Sequence, residues 1–259
     1  MEIIINENHN ALAKIVVDSI EAMVVQKPDS VLGVATGSTP IPIYEELARR
    51  VDAGLDLSQL KIFGLDEYVG LDENNEQSYA YFIREHIIEP CKINPENVRL
   101  LSGVAPDLKA EAKDFEDAIA AAGGIDLQIL GVGHNGHIAF NEPSSSLASR
   151  TRRITLTEKT IEANSRFYNS IDEVPHHAIS QGIGTILEAR HLVMLAYGEE
   201  KSDAVKGMIE GPVAAFMPAS ALQLHPRVSI LIDEGAASQL VKADFYKYGW
   251  ESKEEKTLD

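Results

Sequence analysis

Short apolar runs alternate along the chain with longer stretches in which apolar residues recur every three or four positions. The runs at 3–5, 31–35, 62–65, 98–101, 127–132, 192–197 and 228–233 are mostly apolar at consecutive positions, not at every second one. That pattern predicts strands covered on both faces, as in parallel sheets. Between them, Leu12, Ile15, Val16, Ser19 and Met23 share one helical face, and Ile41, Tyr44, Leu47, Ala48 and Val51 share another. Residues 110–122 and 179–188 also read as helices. Such alternation predicts an α/β fold: three-layer, Rossmann-like, a doubly wound and mostly parallel sheet with helices on both faces. We expect a single domain over residues 1–259, a serine-rich loop at 142–149 and a charged, frayed tail from Glu251.

Composition narrows the function classes. Forty acidic against 23 basic residues give a net charge of −17. A chain that acidic lacks the basic face that nucleic acid or an anionic membrane requires. A small anionic substrate stays open, because local amides and one or two cations can override the global field. The single cysteine, Cys91, excludes an internal disulfide and a cysteine-based zinc cluster. No apolar run approaches the roughly 20 residues of a membrane span, and the N-terminus lacks a signal-peptide pattern. A cytoplasmic protein is the expectation.

In open α/β sheets ligands gather at the carboxyl ends of strands, and three strand ends are chemically dense. Thr36-Gly37-Ser38-Thr39-Pro40 follows the second run. Its glycine permits close backbone approach, Thr39 suits an N-cap, and Pro40 suits a first helical turn. The helix would aim free amides and three hydroxyls at a phosphate, although a plain strand-to-helix turn has the same residues. Asp66 and Glu67 end the third run. Either a partly buried carboxylate acts there as general base, or the acids are a solvated turn or a cap for the segment beyond Gly70.

The third strand end, from Gly131 to Pro143, formally contains G-x-G-x-x-G. A dinucleotide site needs a helix to open there, and Asn141-Glu142-Pro143 is poor helix. The preferred reading is a glycine-rich loop presenting His137, with Asn135 and Glu142 near to orient it. A structural histidine, or His134 and His137 as a metal pair, are the alternatives; no third ligand spacing is visible. Lys201, just past the run 192–197, and Arg166 are candidate cations, or ordinary surface charge.

Together these motifs resemble the glucosamine-6-phosphate deaminase family over nearly the whole chain. The matching stretches are Ala35–Pro40, Leu65–Leu71, Gly131–Pro143, Ser146–Arg152 and Leu222–Pro226, in the family's order. The resemblance implies an enzyme, a hydrolase of a C–N bond, that turns glucosamine 6-phosphate and water into fructose 6-phosphate and ammonia without metal or organic cofactor. It implies Asp66 as enolisation base, His137 as ring-opening acid/base, and Glu142 as its carboxylate partner. Asn135 stands where some members have aspartate, which leaves Glu142 as the loop's one charge on His137. The resemblance further implies sugar and phosphate contacts from Thr36, Gly37, Ser38, Thr39, Arg166 and Lys201. It implies a lid over 156–179. Ser145, Arg152 and Thr155 match an allosteric pocket of the larger members. Ile154 replaces a lysine there, which should weaken an anionic effector. A homo-oligomer, hexameric by chain length, is expected. The alternatives are a same-fold enzyme such as a 6-phosphogluconolactonase, or a sugar-phosphate-sensing regulator.

Overall fold

The computed structural model describes residues 1–165 and 168–258. Its elements run β1 (Glu2–Ile5), α1 (His9–Gln26), β2 (Val31–Val34), α2 (Ile41–Asp52), β3 (Lys61–Gly64), β4 (Asp66–Tyr68), α3 (Tyr79–Ile83), β5 (Val98–Arg99) and α4 (Leu108–Ala121). They continue through β6 (Leu127–Gly131), β7 (Arg152–Thr155), α5 (Glu158–Asn164), β8 (His177–Ser180), α6 (Ile183–Ile186), β9 (Leu192–Ala196), α7 (Ser202–Ile209), β10 (Val228–Ile232), α8 (Glu234–Ala237) and α9 (Ala243–Glu251).

All seven expected runs become strands of one sheet, in the order β1-β10-β9-β6-β2-β3-β5, and every pairing is parallel. β2, β6, β9 and β10 are buried almost throughout, which explains why their sequences do not alternate. From β2 the order proceeds to β3 and β5 on one side, and through β6 to β9, β10 and β1 on the other. The reversal falls between β2 and β6. There the loops leaving the two strands diverge and open a crevice, the usual ligand site of this architecture.

A second, antiparallel sheet, β4-β8-β7, was not expected. Its strands are three or four residues long and carry Asp66, Glu67, Arg152 and Arg153, so no apolar run announces them. It corrects the helix expected at 179–188: Ile179 pairs with Glu67 and Arg153, and only Ile183–Ile186 is helical. The cause is close backbone approach. A Cβ on Gly182 would lie 2.1 Å from the Ser149 carbonyl oxygen, and Gly184 N–H donates to that oxygen at 2.9 Å.

Three smaller expectations shift. The buried face of α1 is Leu12, Ala13, Val16, Val17, Ile20 and Val24, rotated from the face read in the sequence; Ile15, Ser19 and Met23 are only half-buried. α1 packs on the sheet and also on α2, whose Arg50 reaches Asp18 at 2.6 Å. Thr39 does not cap α2: Pro40 occupies the cap position, with no side-chain cap bond. The tail expected to fray is tied back, with Leu258 buried and Lys253 2.8 Å from Glu2. Among the described residues, no helix is long and apolar enough to cross a membrane.

Candidate active site

The crevice at the sheet reversal is a cleft of about 170 Å³. Thr36, Thr39, Asp66, Tyr79, Gly133, His137, Asn164 and Lys201 line it. Clefts of about 780 and 1060 Å³ lie elsewhere and include none of the expected catalytic groups. Size therefore does not locate the chemistry; convergence of strand ends does.

The loop after β2 is rooted by Tyr44 of α2. Its hydroxyl, fully buried, donates to the Ala35 carbonyl at 2.6 Å and lies 3.2 Å from the Ala35 amide. Gly37 takes φ 93°, a left-handed conformation costly for any side chain, and it and Ser38 are exposed. Thr36 is half-buried and lines the cleft with Tyr79.

Asp66 opens β4, immediately past the end of β3, and is only 9% exposed. Burial, and then the Glu67 charge beside it, push its pKa well above the ordinary aspartate value. Glu67 points elsewhere and does a different task. It accepts from the Tyr68 amide at 2.7 Å, Ser78 Oγ at 2.7 Å, the Tyr79 amide at 3.1 Å and the Ala80 amide at 2.9 Å. The second acid of the pair is thus a cap for α3, the segment beyond Gly70, as one reading of the sequence had it. Burial raises its pKa and these donors oppose the rise.

The loop after β6 folds back on itself. Gly133 N–H donates to the His137 carbonyl at 2.9 Å, and Gly136 takes φ 82°. No helix opens before β7, so the dinucleotide fingerprint lacks its context. The His137 ring packs over Gly133, where a Cβ would lie 2.3 Å from the imidazole. Its backbone amide donates to Asn135 Oδ1 at 3.1 Å. Asn135 Nδ2 in turn donates to Glu142 Oε2 at 2.7 Å. That oxygen stands 3.6 Å from His137 Nδ1, ion-pair range and longer than a direct hydrogen bond.

Glu142 is buried, and its second oxygen accepts from Thr157 Oγ1 at 3.1 Å and from Thr160 Oγ1. Burial pushes the carboxyl up, but His137, Thr160 and Asn135 outweigh it and bring the pKa down to about 2. The carboxylate is therefore ionised at any working pH. His134 is exposed, and among the described residues no group of three or more His, Cys, Asp or Glu side chains could hold a metal ion.

Lys201 reaches the cleft from the turn after β9. Arg166 lies outside the described residues. Ser145 and Arg152 meet away from the cleft: an Arg152 guanidinium N–H donates to Ser145 Oγ at 3.3 Å and another to Asn141 Oδ1 at 2.9 Å. Thr155 is exposed further along β7. Ile154 faces the other way, buried with Tyr68, Phe140, Leu156 and Ala178.

Sequence reasoning missed Tyr79, Asn164, Thr157 and Thr160. Tyr79 is stacked on Phe140, with ring centroids 5.7 Å apart. Asn164 Nδ2 donates to the Tyr68 hydroxyl at 2.8 Å. The two threonines lie at the start of α5, where Thr157 reads simply as an N-cap; nothing local marks either as a partner of Glu142.

Residues 6–230 match the family model described as glucosamine-6-phosphate isomerases/6-phosphogluconolactonase. A glucosamine-6-phosphate deaminase of Arthrobacter sp. (strain FB24) is 51% identical over 254 residues, 98% of each chain. One of Streptomyces coelicolor is 49% identical over 255 residues, again 98% of each chain. A solved structure, described as a monomeric glucosamine-6-phosphate deaminase, is 38% identical with a TM-score of 0.89, over 92% of this chain and 99% of that one. The 6-phosphogluconolactonase of Trypanosoma cruzi superimposes with a TM-score of 0.75 at 19% identity, over 93% of this chain and 97% of that one, and so shares the fold.

Proposed function

Because the chain belongs to the glucosamine-6-phosphate isomerase/6-phosphogluconolactonase family, we propose that it converts glucosamine 6-phosphate and water to fructose 6-phosphate and ammonia. The observation that carries the proposal is the pairing, in one cleft, of a desolvated carboxylate with a histidine backed by an ionised glutamate. The reaction needs two proton-transfer groups with different tasks. His137 takes the proton of the C1 hydroxyl and delivers a proton to the ring oxygen, opening the sugar, and Glu142 compensates the charge the imidazole carries between the two transfers. Once C1 is a carbonyl, the C2 proton is acidic enough for Asp66 to take. Asp66 returns it to C1, leaving an iminium at C2 that water hydrolyses to the ketone and ammonia. Burial gives Asp66 the basicity the carbon acid requires.

Thr36, Gly37, Ser38, Thr39 and Lys201 take the phosphate and sugar hydroxyls in this reading, with Arg166 arriving from the segment 156–179 acting as lid. No cofactor is required. A cytoplasmic enzyme and a homo-oligomer, hexameric by resemblance, complete the proposal; light scattering decides between that assembly and the monomer described for the 38% identical structure.

A lactonase would use the same phosphate loop, but hydrolysis of an ester abstracts no proton from carbon and gives Asp66 no task. Incubation with glucosamine 6-phosphate, and separately with 6-phosphogluconolactone, tests the choice. Release of ammonia from the first, with no acceleration of the second, supports the deaminase.

A further inference from the structure

Asp233 lies outside the cleft, at the carboxyl end of β10, and none of the chemistry above uses it. It is nevertheless only 8% exposed and fully engaged. Both its oxygens accept from the Gly198 amide, at 3.0 and 2.9 Å. Oδ1 also accepts from the Ala236 amide at 2.8 Å, capping α8. Oδ2 lies 3.0 Å from His9 Nε2, and the His9 ring stacks on Tyr197 at 3.9 Å between centroids. One carboxylate thereby joins the ends of β9 and β10 to the first residue of α1.

Gly198 is the point at which β9 turns toward the cleft. Its φ of 91° would strain any residue with a side chain. Its carbonyl accepts from the Lys201 amide at 3.0 Å, closing the single turn that presents Lys201. α8 braces that turn from behind: a Cβ on Gly235 would come within 3.0 Å of the Glu199 amide nitrogen. On its far side the turn runs directly into α7, with Lys201 as the N-cap residue, so the course of the chain at Lys201 is set between that helix and the root at Gly198.

We propose that Asp233 is a positioning residue for phosphate binding: by gripping the Gly198 amide it sets the turn that places Lys201 at the mouth of the cleft. The inference rests on reading Lys201 as a phosphate contact. It concerns orientation alone, since Asp233 touches neither substrate nor reacting atoms.

The test compares Asp233→Ser, Asp233→Asn, Lys201→Ala and the Asp233→Ser/Lys201→Ala double variant. Serine keeps the α8 cap, so the chain still folds, but is too short to reach Gly198. Asparagine keeps an acceptor for it. Inorganic phosphate is titrated into each by calorimetry, which reads the anion site without turnover. Asp233→Ser is expected to weaken phosphate binding about tenfold, the scale of one charge-assisted contact. Asp233→Asn should stay within about threefold of the parent, and the double variant should bind no more weakly than Lys201→Ala alone. In turnover of glucosamine 6-phosphate, Asp233→Ser should raise KM with little change in kcat. Parent-like phosphate binding by Asp233→Ser, or full multiplication of the two effects in the double variant, overturns the inference. If the parent bound phosphate in this pattern yet released no ammonia, the deaminase reading would fall while the role of Asp233 stood.

Discussion

The Asn135 amide donates to Glu142 Oε2 at 2.7 Å, and the same oxygen is the one that faces His137 Nδ1 at 3.6 Å. An asparagine here is more than a neutral stand-in for an aspartate. It donates a hydrogen bond to the carboxylate, where an aspartate would set a second negative charge against it. Asn135→Asp should therefore place two coupled acids beside His137 and raise its basicity. The acidic limb of the kcat/KM profile is expected to move up by about one pH unit, a typical effect of one adjacent charge. A pH–rate profile checks this, and an unmoved limb contradicts it.

Asp66 carries a cost that should be measurable. Its folded pKa lies above the unfolded value of 3.8, so ionising it in the fold is unfavourable. That penalty is absent at low pH, grows as pH rises past the unfolded value, and is complete above the folded one. Asp66→Asn removes it. The variant should melt higher than the parent at pH 8, the gap closing toward pH 4, while deamination falls by about 10²–10⁴. Calorimetric melts at both pH values, with ammonia assays, decide.

Glu67 should behave oppositely. Glu67→Ala strands buried donors around Ser78, Tyr79 and Ala80, each worth about 1–3 kcal/mol when left unsatisfied. At roughly 2–4 °C per kcal/mol for a chain near this size, the melting point should drop by several degrees. Its kcat should fall far less than that of Asp66→Asn. An unchanged melting point with a collapsed kcat would make Glu67, not Asp66, the base.

These two acids show how much of the site was legible. Most of the parallel strands were readable because burial on both faces, nearly complete in β2, β6, β9 and β10, writes itself as consecutive apolar residues; the half-buried edge strand β5 was announced only by the mostly apolar run 98–101. The order of strands was not, and it is the order that brings the loops of β2 and β6 together. The motif around Asp66 and Glu67 identified two carboxylates at a strand end, but only the α3 amides show that Glu67 is the cap and leave Asp66 to the cleft. The small antiparallel sheet was invisible because strands such as Arg152–Thr155 carry charge and bury one residue, Ile154. Thr157 and Thr160 were missed for a related reason: a hydroxyl that reaches a carboxylate 15 or 18 residues away leaves no local pattern.

Glu142 gives a prediction on acid stability. Its folded pKa of about 2 lies below the usual 4.5. The stabilisation it provides is complete above pH 4.5 and is lost as pH falls toward 2. Thr160→Val removes one of the donors that hold the carboxyl down. The acid-unfolding midpoint of that variant, followed by circular dichroism, should shift to higher pH; coincidence with the parent curve would assign the low pKa to other partners.

The most direct test of the account records ammonia and fructose 6-phosphate together from one incubation with glucosamine 6-phosphate, for the parent chain and Asp66→Asn. The account predicts equal amounts of the two products from the parent and at least about a hundredfold less of both from the variant. Ammonia without the ketose, or near-parental turnover by Asp66→Asn, would contradict the assignment of a proton transfer between C2 and C1 to this strand end.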